Sequence, residues 1–321
     1  MLNILKKKAE GLKRKVILPE SRDVRVLRAA EILYREKTAL PVLIGNREEI
    51  SSLADFAGTS IGSIETVDPL SCPYKEELAE LYLSKRKTAD RELACRILRK
   101  EIFFGGMMLA SGRADAIVAG ASATTANVVK AAAMTAGYAP GVSTPSSFFL
   151  VSMPGGRTLF FADCGINADP DPAQLAEIGV TTGRNFEKIT GEKARIAFLS
   201  FSTMGSASHR LVEKVREAVR IARQKDKNLC MDGEFQADTA LSRRVAGIKL
   251  KQGSPVAGNA NVLIFPDLNS GNISYKIAEQ LAGAFTLGPV LQGFSKPWGD
   301  VSRGAEAAHI AGVAAITCLM S

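Results

Sequence analysis

The sequence predicts an α/β protein built from mostly parallel sheets covered by helices. Short runs rich in Val, Ile and Leu alternate with amphipathic segments of helical period, which is the pattern of strands buried between helical layers. The chain has 321 residues, 46% of them hydrophobic, enough interior for two α/β domains or one large one. A stretch dense in Gly, Pro and Ser, "AGYAPGVSTPSS" at 136–147, marks the best boundary between two such halves.

The elements follow in order. "KVILPE" (15–20) is a buried strand, and Ser21 is expected to cap the helix "RDVRVLRAAEILYREK", whose Val24, Leu27, Ala30 and Leu33 share one face. "LPVLIGN" (40–46) is the next strand. Helices are expected at about 75–86 and 90–111, then "ADAIVAG" (114–120) as a strand whose Gly-Ala-Ser-Ala-Thr-Thr turn opens a helix near 124. "SFFLVSM" and "RTLFFADC", joined by "PGG", form a hairpin. The alternation then resumes with a helix at 172–189, a strand at 195–200, a helix at 210–224, a strand at 229–234 and a helix at 235–247. A strand at 260–268, a helix at about 270–283, a strand at 288–293 and a last helix from about 303 complete it.

Composition excludes several classes. No apolar run approaches the roughly 18 to 20 residues of a membrane helix, and "MLNILKKKAEGLKRK" lacks an apolar signal core, so a cytoplasmic protein is expected. Five scattered cysteines (Cys72, Cys95, Cys164, Cys230, Cys318) with no C-x-x-C spacing argue for reduced thiols rather than a disulfide frame or a zinc site. Of the net charge of +8, Lys6, Lys7, Lys8, Lys13, Arg14 and Lys15 against Glu10 supply +5, leaving +3 for the rest. With no aromatic interleaving and no DNA-binding motif, such a cluster is a solvated helix face rather than a nucleic-acid groove. The modest positive bias suits small anionic substrates.

The commonest nucleotide, serine-hydrolase and metal motifs are missing, and two histidines, His209 and His309, cannot make a histidine-rich metal centre. Asp163, Asp232 and Asp267 each follow an apolar strand, where capping a turn or helix is the expected role and a carboxylate site for Mg²⁺ the alternative. What remains is a set of hydroxyl-rich turns at strand carboxyl ends, where open α/β sheets bind ligands. They are "GASATTAN" (120–127), "SFSTMGSASH" (200–209), "PDLNSGN" (266–272) and "KPWGDVSRG" (296–304). Each offers backbone N–H groups near a helix N-terminus, and the last carries Arg303.

Seven blocks in the same order resemble the phosphate acetyltransferases and their phosphate butyryltransferase relatives. They are "VILPESRDVRVLRAA", "ADAIVAGASATTANVVKAA", "FFADCGINADPDPAQLAEI", "LSFSTMGSASH", "DGEFQADTAL", "NVLIFPDLNSGNISYKIAEQLAGA" and "GPVLQGFSKPWGDVSRG". The resemblance runs from end to end. It implies reversible acyl transfer between acetyl phosphate and coenzyme A, with coenzyme A as a substrate and no required cofactor. It implies two three-layer α/β domains with mostly parallel sheets, similar to the isocitrate and isopropylmalate dehydrogenases, with the active site in the interdomain cleft. The first domain is then residues 1–141 plus 292–321, and residues 142–291 form a second domain through which the chain makes a homodimer. Small molecules (coenzyme A, acyl phosphate and phosphate) are the expected partners, with no nucleic acid, membrane or metal.

Carried over by position, the resemblance has Arg303 hold the phosphoryl group and Ser302 hydrogen-bond beside it. Arg86 in "LYLSKRK", flanked by Lys85 and Lys87, falls on a family arginine; a solvated basic patch is its ordinary alternative. Lys130 in "TTANVVK" falls on another, keeping the charge while losing the planar two-pronged donor. Thr124 and Thr125, Ser206 and His209, and Asn269 and Asn272 are the substrate-binding candidates of the other turns.

One departure stands out. The family's terminal motif usually reads Ser-Arg-Gly-Cys-x-x-x-Asp-Ile, its carboxylate being the proposed base for the coenzyme A thiol. This chain reads Ser-Arg-Gly-Ala-Glu-Ala-Ala-His-Ile, with Ala305 for the cysteine and His309 for the acid. Ser302, Ala305 and His309 at i, i+3 and i+7 are expected along one helix face, with Glu306 on another as a minor candidate. At reference values, moving a proton from a thiol (about 8.5) to imidazole (about 6.5) costs roughly 2.7 kcal/mol, against roughly 6.3 kcal/mol to an aspartate near 3.9. Histidine is intrinsically the better base. The alternatives are a propionyl or butyryl transferase, a catalytically impaired coenzyme A-binding or regulatory homologue, and an oxidoreductase of the same broad fold, whose motifs the chain lacks.

Overall fold

The structure, a computed structural model, describes residues 7–86 and 90–321. Lys6 of the basic cluster and Lys87 beside Arg86 lie outside the described residues. The chain divides into two compact units, one running up to Pro140 and resuming at Phe294–Ser321, the other spanning Gly141–Gly293.

The first unit opens with β1 (Lys15–Leu18), α1 (Val24–Arg35), β2 (Leu40–Ile44), α2 (Arg47–Phe56), β3 (Glu65–Val67), α3 (Lys75–Lys85), α4 (Arg91–Leu98), α5 (Glu101–Ala110), β4 (Ala116–Ala119) and α6 (Thr125–Thr135). The second unit supplies β5 (Ser146–Ser152), β6 (Thr158–Ala162), α7 (Pro172–Thr190), β7 (Arg195–Leu199), α8 (Arg210–Lys225), β8 (Cys230–Phe235), α9 (Ala237–Leu241), α10 (Arg243–Lys249), β9 (Val262–Ile264), α11 (Leu268–Ala282) and β10 (Phe285–Gln292). The chain then returns to the first unit with β11 (Trp298–Asp300) and α12 (Ala307–Cys318).

In the first unit the strand order is β3-β2-β1-β4-β11, parallel throughout. Parallel strands are buried on both faces, and β1 and β4 accordingly read as near-continuous apolar runs. α12 is apolar all round, with Ile310–Cys318 buried, and it packs on α1 and β4 as a core helix. In the second unit the order is β10-β5-β6-β9-β7-β8. There β5 pairs antiparallel with both β10 and β6, and β6, β9, β7 and β8 run parallel. The β5–β6 hairpin is the one that "PGG" announces.

Several element expectations need correction. Ser21 does not cap α1; its hydroxyl donates to the Leu18 carbonyl and accepts from the Ile44 N–H, each at 2.9 Å, tying β1 to β2. Asp23 is the cap. The 90–111 helix breaks into α4 and α5 where Lys100 turns extended, and the 235–247 helix breaks at Ser242, which caps α10 with its own side chain. The strand expected at 260–268 shortens to β9. The last helix starts at Ala307, four residues late, because Ser302–Ala305 closes a tight turn (Ala305 N–H to Ser302 carbonyl, 2.8 Å). Ser302 and Ala305 therefore precede the helix and share no face with His309. α2, β3 and β11 were not expected; β3 and β11 have three residues each, too short to show a period.

The three strand-end aspartates serve the scaffold. Asp163, 3% exposed, accepts from the Ser147 hydroxyl and N–H, from the N–H groups of Gly165, Ile166 and Asn167, and from the Asn167 amide. Asp232 takes Arg223, Ser254 and its neighbour Gly233 N–H, and Asp267 caps α11 through the Ser270 N–H. Among the described residues no group of three His, Cys, Asp or Glu is arranged to hold a metal ion, and no helix is long and apolar enough to cross a membrane.

Gly271 sets how closely α11 approaches the Asp163 loop. A Cβ there would lie 2.3 Å from the Asp163 carbonyl oxygen and 3.1 Å from the Cys164 sulfur. Gly271→Ala should gain about 1 kcal/mol of helix propensity but force this backbone contact apart. A net loss of roughly 1 to 2 kcal/mol is expected from urea denaturation; unchanged or increased stability would contradict the contact.

Candidate active site

In the first unit, β1, β4 and β11 are parallel neighbours, so the turns after them lie side by side at the carboxyl edge of the sheet. The turn after β1 carries Glu20 and Asp23, the turn after β4 is Gly120–Thr124, and the turn after β11 is Val301–Glu306.

The "GASATTAN" turn is not an open anion site. The Glu20 carboxylate accepts from the N–H groups of Ala121 (2.7 Å), Ser122 (3.0 Å) and Ala123 (2.7 Å) and from the Ser122 hydroxyl (2.9 Å). The nest of backbone donors is filled from within the chain. Thr124 caps α6 by accepting from the Asn127 N–H, and Thr125 in the first turn stands beside Asp300. Lys130 is exposed further along the same helix.

A single guanidinium binds the three turns together. Arg25, at the start of α1, donates to the Asp23 carboxylate (2.6 and 3.0 Å), to the Ala121 carbonyl (2.8 Å), and to the carbonyls of Arg303 (2.5 Å) and Ala305 (3.1 Å). Burial of Asp23 works against its charge, but the hydrogen bonds and charge of Arg25 outweigh it and hold the carboxyl below its ordinary value. The bond to Asp23 likewise holds Arg25 above the ordinary guanidinium value.

The turn so held presents Ser302, Arg303 and Gly304 to solvent, with the Gly304 N–H at 3.3 Å from the Ser302 oxygen. Glu306 is the exposed N-terminal flank of α12, with no side-chain cap bond, and His309 is half-buried in its first turn. A cavity of about 730 Å³ opens beside Glu20, lined in part by Arg22, Ile44, Lys100 and Ser122. Arg86, at the end of α3, is half-buried at the wall of a cavity of about 410 Å³, and its guanidinium donates to the Ala133 and Met134 carbonyls and caps the C-terminus of α6.

Of the candidates, Arg86, Thr124, Thr125, Lys130, Ser302, Arg303 and His309 belong to the first unit, and Ser206, His209, Asn269 and Asn272 to the second. There, buried Glu234 organises the "SFSTMGSASH" loop by accepting from the Ser202 hydroxyl (2.8 Å) and the Gly205 N–H (2.7 Å). Ser206 accepts from the Thr203 N–H at 2.9 Å. His209 caps α8, its Nδ1 accepting from the Leu211 N–H at 3.2 Å, so the neutral ring carries its proton on Nε2. Asn272 donates to the Cys164 carbonyl at 3.1 Å, and Asn269 is exposed beside it in the first turn of α11.

Sequence reasoning missed Glu20, Arg25, Glu234 and Asp300. The first two had a signal, since "PESRDVR" places acids and a base directly after a buried strand. Asp300 had one too, as a carboxylate ending an apolar strand, while Glu234 is marked only by its burial.

A family model described as phosphate acetyl/butaryl transferase matches residues 1–318. A phosphate acetyltransferase of Acetivibrio thermocellus is 43% identical over 314 residues, covering 95% of this chain and 93% of that one. Among solved structures, the EutD phosphotransacetylase of Staphylococcus aureus superposes with a TM-score of 0.93 at 38% identity, covering 99% of this chain and 97% of that chain. A phosphotransacetylase from Streptococcus pyogenes gives 0.92 at 38%, with the same coverage. With a match of this length, and with the Ser-Arg turn held at the carboxyl edge of its sheet, the chain belongs to the phosphate acetyl/butaryl transferase family.

Proposed function

We propose that the protein is a phosphate acetyltransferase, carrying an acetyl group reversibly between acetyl phosphate and coenzyme A, and that it works in the cytoplasm as a homodimer. The exposed Ser302–Arg303 turn, fixed from behind by Arg25, is the observation that carries the reading. Two of the three carbonyls that Arg25 grips, those of Arg303 and Ala305, belong to this turn, so they are spent on the scaffold and the Arg303 guanidinium is left to face an anion.

In this reading Arg303 pairs with the phosphoryl group and neutralises the phosphate as it leaves. Ser302 donates to the acyl carbonyl oxygen as it becomes an oxyanion. His309 takes the thiol proton, the sulfur attacks the carbonyl carbon, and the bond from carbon to the phosphate oxygen breaks. Lys130, Ser206, His209, Asn269, Thr124 and Thr125 are the further substrate contacts of the proposal. Arg86 belongs to the same proposal, with the guanidinium nitrogen that the α6 carbonyls leave unused.

The dimer proposal rests on α11. Ile273 (53% exposed), Ile277 (51%) and Leu281 (84%) recur at i, i+4 and i+8 on its outer face, with Phe285 (45%) following. Such a stripe is the signature of a surface that is covered in an assembly.

Purified protein should release free phosphate from acetyl phosphate only when coenzyme A is present. His309→Ala should cut kcat by roughly 10²- to 10⁴-fold while His309→Asp keeps measurable turnover; equal rates for wild type and His309→Ala would remove the histidine from the mechanism. Across acetyl, propionyl and butyryl phosphates, kcat/KM should not rise with chain length, whereas a pocket that buried each added methylene would raise it by about fourfold, from about 0.8 kcal/mol per group. A preference for the longer chains would overturn the acetyl assignment.

Leu281→Glu should halve the mass seen by light scattering, because a carboxylate buried in an apolar interface has no partner. An unchanged dimer would place the interface elsewhere, and a monomeric wild type would end the proposal.

A further inference from the structure

The Asp300 carboxyl, which the acyl-transfer scheme leaves unused, ends β11 two residues before Ser302. The residue has no solvent-exposed surface, and neither carboxyl oxygen has a hydrogen-bond partner of good geometry among the described residues. Val301 N–H lies near, but it is spent on the Ala119 carbonyl at 2.9 Å. Thr125 faces the carboxyl from the first turn of α6, and the Glu20 carboxylate, of the same sign, acts on it from the turn after β1. Arg25, the cation of this network, directs its guanidinium at Asp23 and at carbonyls.

The packing around it leaves no slack. Gly120 has φ +106°, and a Cβ there would fall 2.2 Å from an Asp300 carboxyl oxygen and 2.4 Å from the Val301 carbonyl. The glycine is thus required both by its backbone conformation and by the approach of Asp300. A carboxyl in this position is comfortable only as the neutral acid. Burial, ahead of the opposing pull of Thr125 and Val301, pushes its pKa up to about 7.

We propose that Asp300 is a positioning residue: its uncharged carboxyl, seated against Gly120 and facing Thr125, fixes the end of β11 so that the Ser302–Arg303 turn stands ready for the phosphoryl group. Ionisation places a second carboxylate beside Glu20 in a dry site, and the strand end must shift to find water or a donor. The inference rests on the acyl-transfer reading for the role of Arg303, and on the geometry alone for the role of Asp300.

Asp300→Asn keeps the shape and cannot ionise. The experiment compares its affinity for inorganic phosphate with that of the parent by titration calorimetry from pH 6 to pH 8.5, alongside kcat/KM for acetyl phosphate. Titration of the phosphate itself is common to both proteins and cancels in the ratio. The variant-to-parent ratio of phosphate affinity is expected to rise by about tenfold or more across this range.

Stability supplies a second sign. The folded parent keeps a proton that the unfolded chain loses above the ordinary carboxyl value, so this contribution falls as pH rises from about 4 to about 7 and is gone above that. The Tm of the variant minus that of the parent should therefore climb over that window and then level. An affinity ratio that stays flat overturns the positioning role, even if the Tm difference climbs. A rising affinity ratio with no turnover in either protein would support the positioning role and sink the acyl-transfer reading instead.

Discussion

The Arg25 guanidinium is the interaction on which the rest of the candidate site depends. Three parallel strands deliver three turns to one edge, but parallel pairing fixes only the strands and leaves the turns free to take many shapes. A planar fork with five donors can grip a carboxylate and several carbonyls at once, which a lysine cannot. Asp23 aims the fork, and the bonds to Ala121, Arg303 and Ala305 convert three separate turns into one surface. Each hydrogen bond from a charged group contributes about 1.5 to 3 kcal/mol at best, so several from one side chain are enough to hold an exposed turn.

Carboxylates organise the remaining turns in the same manner. Glu20 fills the donors after β4, Glu234 those of the loop after β7, and Asp163 those after β6. Backbone donors that would otherwise attract any passing anion are thereby satisfied internally. The exposed Arg303 turn differs because Arg25 takes its carbonyls and leaves its cationic side chain outward. In the proposed scheme, His309 in the first turn of α12 and Asp300 just before the turn are groups whose protonation bears on that surface. In the acyl-transfer reading one moves a proton and the other must keep one.

Much of this was legible in the sequence. The buried strands, the amphipathic helices and the β5–β6 hairpin carried their own periods, and the Ser-Arg motif was read as a turn although the strand it follows, β11, was not. The failures have physical causes. α4 and α5 read as one helix because the break at Lys100 involves neither glycine nor proline. The start of α12 was misplaced because the Ser302–Ala305 turn is made of the same small and polar residues that begin helices. The two carbonyls at the end of α6 that Arg86 binds were not legible, because nothing local announces that they lie within its reach. Glu20, Arg25 and Asp300 were invisible as a group, since their meaning arises only when β1, β4 and β11 become neighbours across nearly 300 residues of chain.

The central claim, that one guanidinium shapes the site, is tested most directly by hydrogen–deuterium exchange on Arg25→Ala. The account predicts faster exchange at the amides of Gly304 and Ala305 and at those of Ala121–Ala123, with the amides of β1 and β4 still protected. Exchange at both turns equal to that of the parent protein would contradict it.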